Sequence, residues 1–344
     1  MKKKNFKYPK VYLYAATIGL VGIIGLVGYY LLTSLSTSDE AKYVCIDTDD
    51  DIDSVFAKIE PFASKCGMTA LRTIARHTGY EEDIKTGRYK VEPGECAVTV
   101  YRRLSGGRQE PVNLTVPEVR TMDRLAAQLS KKLMLDSVTI AQALCDSIFC
   151  QKYKADTATI ACLFIPNTYN IYWDTTLDEL MKRMQREHDA FWTPERRKKA
   201  EALGLTTDEV QTLASIVDEE TNDVEEKHII AGLYLNRLAK DMPLQACPTI
   251  KFAWKRFDLK RLYDSLLSID SPYNTYRNKG LPPGPIKIAS IKGIDAVLNP
   301  TPSDYLFMCA KDDFSGHHAF AATGAEHMEN ARKYQQALNE RGIK

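Results

Sequence analysis

Hydrophobic and polar positions along the chain fall into three regimes. The first is the uncharged, mostly apolar run Val11-Tyr-Leu-Tyr-Ala-Ala-Thr-Ile-Gly-Leu-Val-Gly-Ile-Ile-Gly-Leu-Val-Gly-Tyr-Tyr-Leu-Leu32. At ~1.5 Å per residue a helix over 11–32 covers the ~30 Å hydrocarbon core of a bilayer. The second regime, 41–110, changes pattern every few residues. It reads as a strand over 41–46, a helix opened by the acidic turn 47–53 and running to about Cys66, a helix over 68–77, a polar turn over 79–87, the short run Tyr89–Val91 and the amphipathic segment 97–104. Short helices between strands at this length predict a small α+β module.

The third regime, 111–344, is longer-waved. A strand over 111–116 precedes amphipathic helices at 121–129 and 136–144 and charged helices at 176–188 and 193–203. Further helices follow, then a strand at 305–310 and a last helix ending near Asn339. The expected fold class is therefore α+β. A basic tail (1–10) leads to a single transmembrane helix (11–32), a small module (41–110) and a mixed α/β domain with helical inserts (111–344). The aromatic, turn-like stretch 165–173 suits either core packing or one wall of a ligand cleft.

Periodicity is most informative between Thr206 and Thr221. Thr206-Thr-Asp-Glu209 is a capping box, and Val210, Leu213, Ala214 and Val217 then mark one buried face. At ~100° per residue Glu220 falls ~20° from Leu213, whereas Glu219 lies ~120° away toward solvent. Partial burial penalises the charged form of Glu220, as a proton donor near neutral pH requires. Asp218, on the other flank, is either a helper or an ordinary capping or solvated residue. Asp223-Val-Glu-Glu226 reads as a second capping box, opening a helix with Ile229, Ile230, Leu233 and Tyr234 inward and ending at Asn236-Arg237. Two helices meeting at a polar elbow bring Glu220, Glu226, Asn236 and Arg237 near one another, to pair structurally or to build a site.

Composition and charge adjust this picture at two places. Net charge is +1 with the signs interspersed, which excludes the cationic stripe of a nucleic-acid binder. The exception is the cluster Lys2, Lys3, Lys4, Lys7 and Lys10, which favours an N-terminus in the cytoplasm and a body on the outer face of the cytoplasmic membrane. A cleaved signal peptide is the rival reading, and the run is longer than the usual ~7–15-residue core. Glycines at 19, 22, 25 and 28 offer a weak route to helix pairing and homodimerisation. Eight scattered cysteines without a Cys-x-x-Cys favour buried free thiols over a disulfide framework or a zinc site.

The segments after the elbow carry the remaining chemistry. Pro243–Thr249, Ser271–Tyr276 and Gly280–Ile286 are Pro/Gly-bent loops that hold Gln245, Thr249, Tyr273, Asn274 and Tyr276 at low entropic cost. Amides and phenols in a cleft suit sugar hydroxyls. His318 and His327, with Glu326, lack a spacing that establishes a metal site, and the two histidines are read as ordering groups. No His-Glu-x-x-His, Gly-x-Ser-x-Gly or phosphate loop is present, so one carboxylic acid in a sugar-like cleft remains, with no metal or cofactor.

In this order the motifs resemble the YceG-like family of membrane-anchored, endolytic murein transglycosylases. Ala214-Ser-Ile-Val-Asp-Glu-Glu-Thr221 is similar to its hallmark, and Asn236-Arg-Leu238, Leu244-Gln-Ala-Cys-Pro-Thr249, Tyr273-Asn-Thr-Tyr276, Gly280-Leu-Pro-Pro-Gly-Pro-Ile286, His318-Ala-Phe320 and His327 to its later elements. The resemblance implies cleavage of the MurNAc-β-1,4-GlcNAc bond of nascent glycan strands without water. Glu220 would be acid then base, and the MurNAc C6 hydroxyl the nucleophile that closes a 1,6-anhydro end. Asn236, Gln245, Tyr273, Asn274 and Tyr276 would bind or orient sugar, with Asp218, Glu226, Arg237, Thr249, His318 and His327 in support. It also implies a LysM-like character for module 41–110 and action near peptidoglycan synthases. Two positions depart from the pattern: Asp218 stands where the family has glutamate, and Cys247 where it has aspartate. A catalytically silent glycan-binding scaffold and a hydrolase using the same glutamate are the competing readings.

Overall fold

The computed structural model describes residues 10–259 and 263–341, so the basic tail expected over 1–10 lies, but for Lys10, outside the described residues. The chain divides into two compact units, 1–113 with 170–175, and 114–169 with 176–344. The first begins with α1 (Lys10–Leu32), whose stretch Tyr12–Leu32 is long and apolar enough to cross a membrane and buries none of its length in the protein.

In the first unit β1 (Lys42–Ile46) pairs antiparallel with β2 (Gly87–Val91), Val44 opposite Tyr89. Between them run α2 (Ile52–Ile59) and α3 (Lys65–Thr78), and α4 (Ala97–Ser105) follows. One core gathers Leu35, Val44, Ile46, Val55, Ile59, Leu71, Tyr89, Val91, Val100 and Leu104. The helix expected to reach Cys66 stops at Ile59, since Pro61 sits in a short 3-10 turn and Ser64 caps α3 by accepting from Gly67 N–H.

The strands β3 (Val112–Thr115) and β4 (Thr168–Ile171) each run across the division, and the second unit carries α5 (Met122–Leu129), α6 (Ser137–Cys145), α7 (Ser147–Gln151), α8 (Leu177–Phe191) and α9 (Pro194–Ala202). Then come α10 (Thr207–Glu220), α11 (Val224–Ala239), α12 (Cys247–Ala253), α13 (Ile291–Leu298), β5 (Phe307–Ala310), β6 (His318–Ala321) and α14 (Gly324–Glu340). The three sheets are each two-stranded, β1-β2, β3-β4 and β5-β6, among the described residues. The stretch 165–173 is a strand at its centre, with Tyr169 and Ile171 buried and Tyr172 exposed. The Tyr169 hydroxyl donates to the Ile165 carbonyl at 2.7 Å, so that ring serves packing.

Helix α10 is the axis of this unit. Thr206 and Glu209 close the expected capping box, and every residue from Val210 to Asp218 is buried, with α11 and α13 packed around it. A helix walled on all sides carries its polar residues inside, and each of those must then find a partner. All eight cysteines are free, but only Cys150 and Cys162 are buried, so the expectation of buried thiols holds for those two.

Candidate active site

The polar residues of α10 are tied off one after another. Ser215 Oγ donates to the Thr212 carbonyl at 2.7 Å and accepts from Ile286 N–H at 3.0 Å, which docks the Gly280–Ile286 loop on the helix. In that loop Gly284 passes so close to the Ala158 carbonyl that a Cβ would lie 2.2 Å from its oxygen, which is why glycine is required. Asp218 is neither solvated nor a cap of its own helix. Its buried carboxylate pairs with Lys227 Nζ and accepts from Ser290 N–H at 2.6 Å and Ser290 Oγ at 2.7 Å, joining α10, α11 and the start of α13. Gly293 leaves room for that carboxylate, since a Cβ there would lie 2.5 Å from Oδ1.

Glu219 also fails to face open solvent. It grips Arg120 through both oxygens, at 3.0 and 2.9 Å from Nε, with Lys287 at 3.8 Å. That pairing overrides the helical wheel, because α10 is enclosed where the wheel expects water.

Glu220 is different. Half-buried at the last residue of α10, it has one side-chain donor among the described residues, the buried Tyr234 hydroxyl, at 2.8 Å from Oε1. Burial raises its carboxyl pKa above the ordinary value, Glu219 adds to the rise, and the Tyr234 hydroxyl, His318 and Lys251 act against it. A carboxylate at a helix C-terminus also meets the negative end of the macrodipole. The group is therefore biased toward keeping a proton.

An open cavity of about 480 Å³ faces Glu220, lined by Tyr234, Arg237, Gln245, Cys247, Tyr276, His318, His327 and the whole of β5. A second cleft of about 500 Å³ meets Glu220 from the other side, with Arg120, Lys287 and the turn Ser315–His317 in its walls. Glu220 is common to both.

The predicted residues separate into those at the cavity and those behind it. Arg237 reaches the cavity but works as a strut. Its Nε donates to the Leu306 carbonyl at 2.6 Å and its Nη1 to the Pro243 and Leu244 carbonyls at 3.0 Å and to Gln245 Oε1 at 3.2 Å. Gln245, exposed at the mouth, takes a left-handed backbone with φ 53°, held by its N–H donating to the Thr275 carbonyl at 3.0 Å. Tyr276 lies 3.2 Å from Cys247 Sγ.

Asn274 is fully buried and ties its loop, its Nδ2 donating to the Leu267 and Ile269 carbonyls and its Oδ1 accepting from Tyr276 N–H. Thr249 bonds Thr275 in the interior, Tyr273 packs on Phe252, and Asn236 donates to the Ser303 and Tyr305 carbonyls. These four hold the loops and do not line the cavity.

Glu226 departs from the expected capping box. Asp223 accepts from Glu226 N–H, but the Glu226 carboxylate turns away to accept from His318 N–H at 2.6 Å, with His318 Nδ1 at 3.3 Å and His317 Nδ1 at 3.5 Å. Burial opposes its ionisation, and the Thr221 hydroxyl and His318 outweigh that and hold its pKa below the ordinary value. His327 stacks on Phe307, and Glu326 caps α14 rather than joining the histidines. Among the described residues no His, Cys, Asp and Glu cluster is arranged to hold a metal ion.

Tyr234 was visible in the sequence only as an inward position of α11. The available signal is chemical, since a buried phenol needs a partner, and the half-buried acid at the preceding elbow is the candidate.

The fold and site set one half-buried carboxyl group, its pKa raised by burial, in an open polar cleft, on a chain with a potential membrane-spanning helix. The chain belongs to the YceG-like family, whose sequence model matches residues 44–333. It is 30% identical over 276 residues to the endolytic murein transglycosylase of Bacillus subtilis (strain 168), an alignment covering 75% of each chain. With the endolytic murein transglycosylase of Streptococcus pneumoniae (D39) identity is 29%, over 92% of this chain and 63% of that protein's length. The crystal structure of a yceG-like protein of Listeria monocytogenes superposes with a TM-score of 0.57 at 24% identity, covering 85% of this chain and 99% of that one, and establishes likeness of fold.

Proposed function

We propose that the chain is an endolytic murein transglycosylase that cleaves the MurNAc-β-1,4-GlcNAc bond of glycan strands and leaves 1,6-anhydroMurNAc ends. The single observation that carries this reading is Glu220, the carboxyl group facing the cavity, raised in pKa by burial and oriented by Tyr234. Glu220 first donates its proton to the glycosidic oxygen. As carboxylate it then takes the proton of the MurNAc C6 hydroxyl, whose oxygen closes on C1. Because the nucleophile belongs to the substrate, no second catalytic carboxylate is needed, in contrast to paired-carboxylate hydrolysis. The neighbouring acids support this division of labour: Asp218 is bound to Lys227 and Ser290, Glu219 to Arg120, and Asp223 to the N-terminus of α11. Gln245 and Tyr276 are assigned to sugar contact, and Asn236, Tyr273, Asn274 and Thr249 to holding the loops that present them. The apolar helix Tyr12–Leu32 and the lysine cluster that precedes it support a membrane-anchored reading with the body on the outer face, within reach of nascent strands and their synthases.

Mass analysis of digested glycan strands tests the reading. Ends lacking one water relative to reducing MurNAc are expected. Reducing ends would instead establish a hydrolase using the same glutamate, and binding without new ends would leave a scaffold.

A further inference from the structure

Backbone groups in an antiparallel pair point alternately toward and away from the partner strand. In the register Phe307 opposite Ala321, Met308 opposite Phe320, Cys309 opposite Ala319 and Ala310 opposite His318, three contacts fix which are which. Lys311 N–H donates to the His317 carbonyl at 2.9 Å, so the odd-numbered residues of β5 face β6. His318 N–H is turned away from β5 to Glu226, and the Phe320 carbonyl is turned away to Asn330 Nδ2 at 3.5 Å. Met308 and Ala310 therefore direct their N–H and C=O groups to the outer edge of the sheet.

The two edges are treated differently. On β6, Glu226 takes the His318 N–H and Asn330 the Phe320 carbonyl, one outward group of each residue; on β5, Arg237 takes the Leu306 carbonyl, and the described residues place no hydrogen-bond partner on either outward group of Met308 or of Ala310. All four residues of β5 line the cavity that holds Glu220. Successive side chains of a strand point to opposite faces, so four consecutive lining residues mean that the strand is presented edge-on. An open edge of non-proline residues is a template for another extended chain.

We propose that the outer edge of β5 binds an extended peptide by strand addition, and that this peptide is the stem borne by the murein strand at Glu220. The assignment rests on the transglycosylase reading for the identity of the peptide. A peptide suits the edge better than sugar acetamido groups do. The two open N–H and C=O pairs belong to residues i and i+2, ~6.8 Å apart, which is the repeat of an extended polypeptide.

The test uses the full-length wild-type chain with murein strands, the same strands stripped of peptide by an amidase, and free stem peptides N-methylated at one amide at a time. Stripping is expected to raise KM about tenfold with kcat little changed. Free stem peptide should inhibit, and N-methylation should abolish inhibition at alternate amides while sparing those between. Equal KM for both strand types, or inhibition indifferent to the methylated position, would overturn strand addition, and equal KM would give the edge to sugar acetamido groups. If neither strand is cleaved the transglycosylase reading fails separately, and calorimetric binding of the same peptides still decides the edge. Alternating loss of binding supports it and no binding overturns it.

Discussion

Asp218 and Glu220 lie two residues apart on α10 and live in opposite environments. Asp218 is buried with a lysine ammonium and two donors from Ser290 on it, and its carboxylate joins three helices. Glu220 is half-buried with one phenol donor and a cavity in front of it. A compensated carboxylate builds structure, whereas one that is desolvated without a cation in contact has its pKa raised and is shifted toward the form that can give a proton away. The same last turn of helix thus supplies both scaffold and chemistry.

The sharpest way to break this contrast is Glu220→Gln. Loss of the acid and base should cut turnover by roughly 10²–10⁴-fold. Folding should be unharmed, because the contribution of a raised carboxyl pKa is fully present below the ordinary value and lost as pH rises through the raised one, and the neutral amide mimics the protonated form that supplies it. Strand digestion paired with a thermal melt checks both halves. Lys227→Met does the reverse, leaving Asp218 buried without its cation, and should cost about 3–5 kcal/mol in denaturant unfolding.

Tyr234→Phe removes the donor that favours the ionised form of Glu220. The basic limb of the pH–rate profile should move to higher pH while kcat at its plateau changes by about threefold or less. A limb that moves to lower pH would contradict the role given to Tyr234. Smallest is Cys247→Asp, which adds a negative charge at the cavity wall and should raise the Glu220 pKa further, moving the same basic limb to higher pH by less than Tyr234→Phe does.

Much of this was legible in the chain because it depends on local rules. The Thr206–Glu209 capping box, the buried face of α10 and the placing of Glu220 at its edge follow from 3.6-residue periodicity. Misreadings occur where a distant segment supplies the partner. Arg120 draws Glu219 out of the solvent, Ser290 recruits Asp218, and His318 takes the Glu226 carboxylate that the capping box expected. Asn274 and Asn236 are polar and sit in motif loops, yet their bonds run to backbone carbonyls, a role that residue type cannot distinguish from ligand binding.

The central claim is that burial raises the Glu220 pKa, and a ¹³C titration of its side-chain carboxyl, assigned by the signal lost in Glu220→Gln, tests it most directly. The account predicts a midpoint above the ordinary glutamate value of about 4.3. A midpoint at or below that value would contradict it.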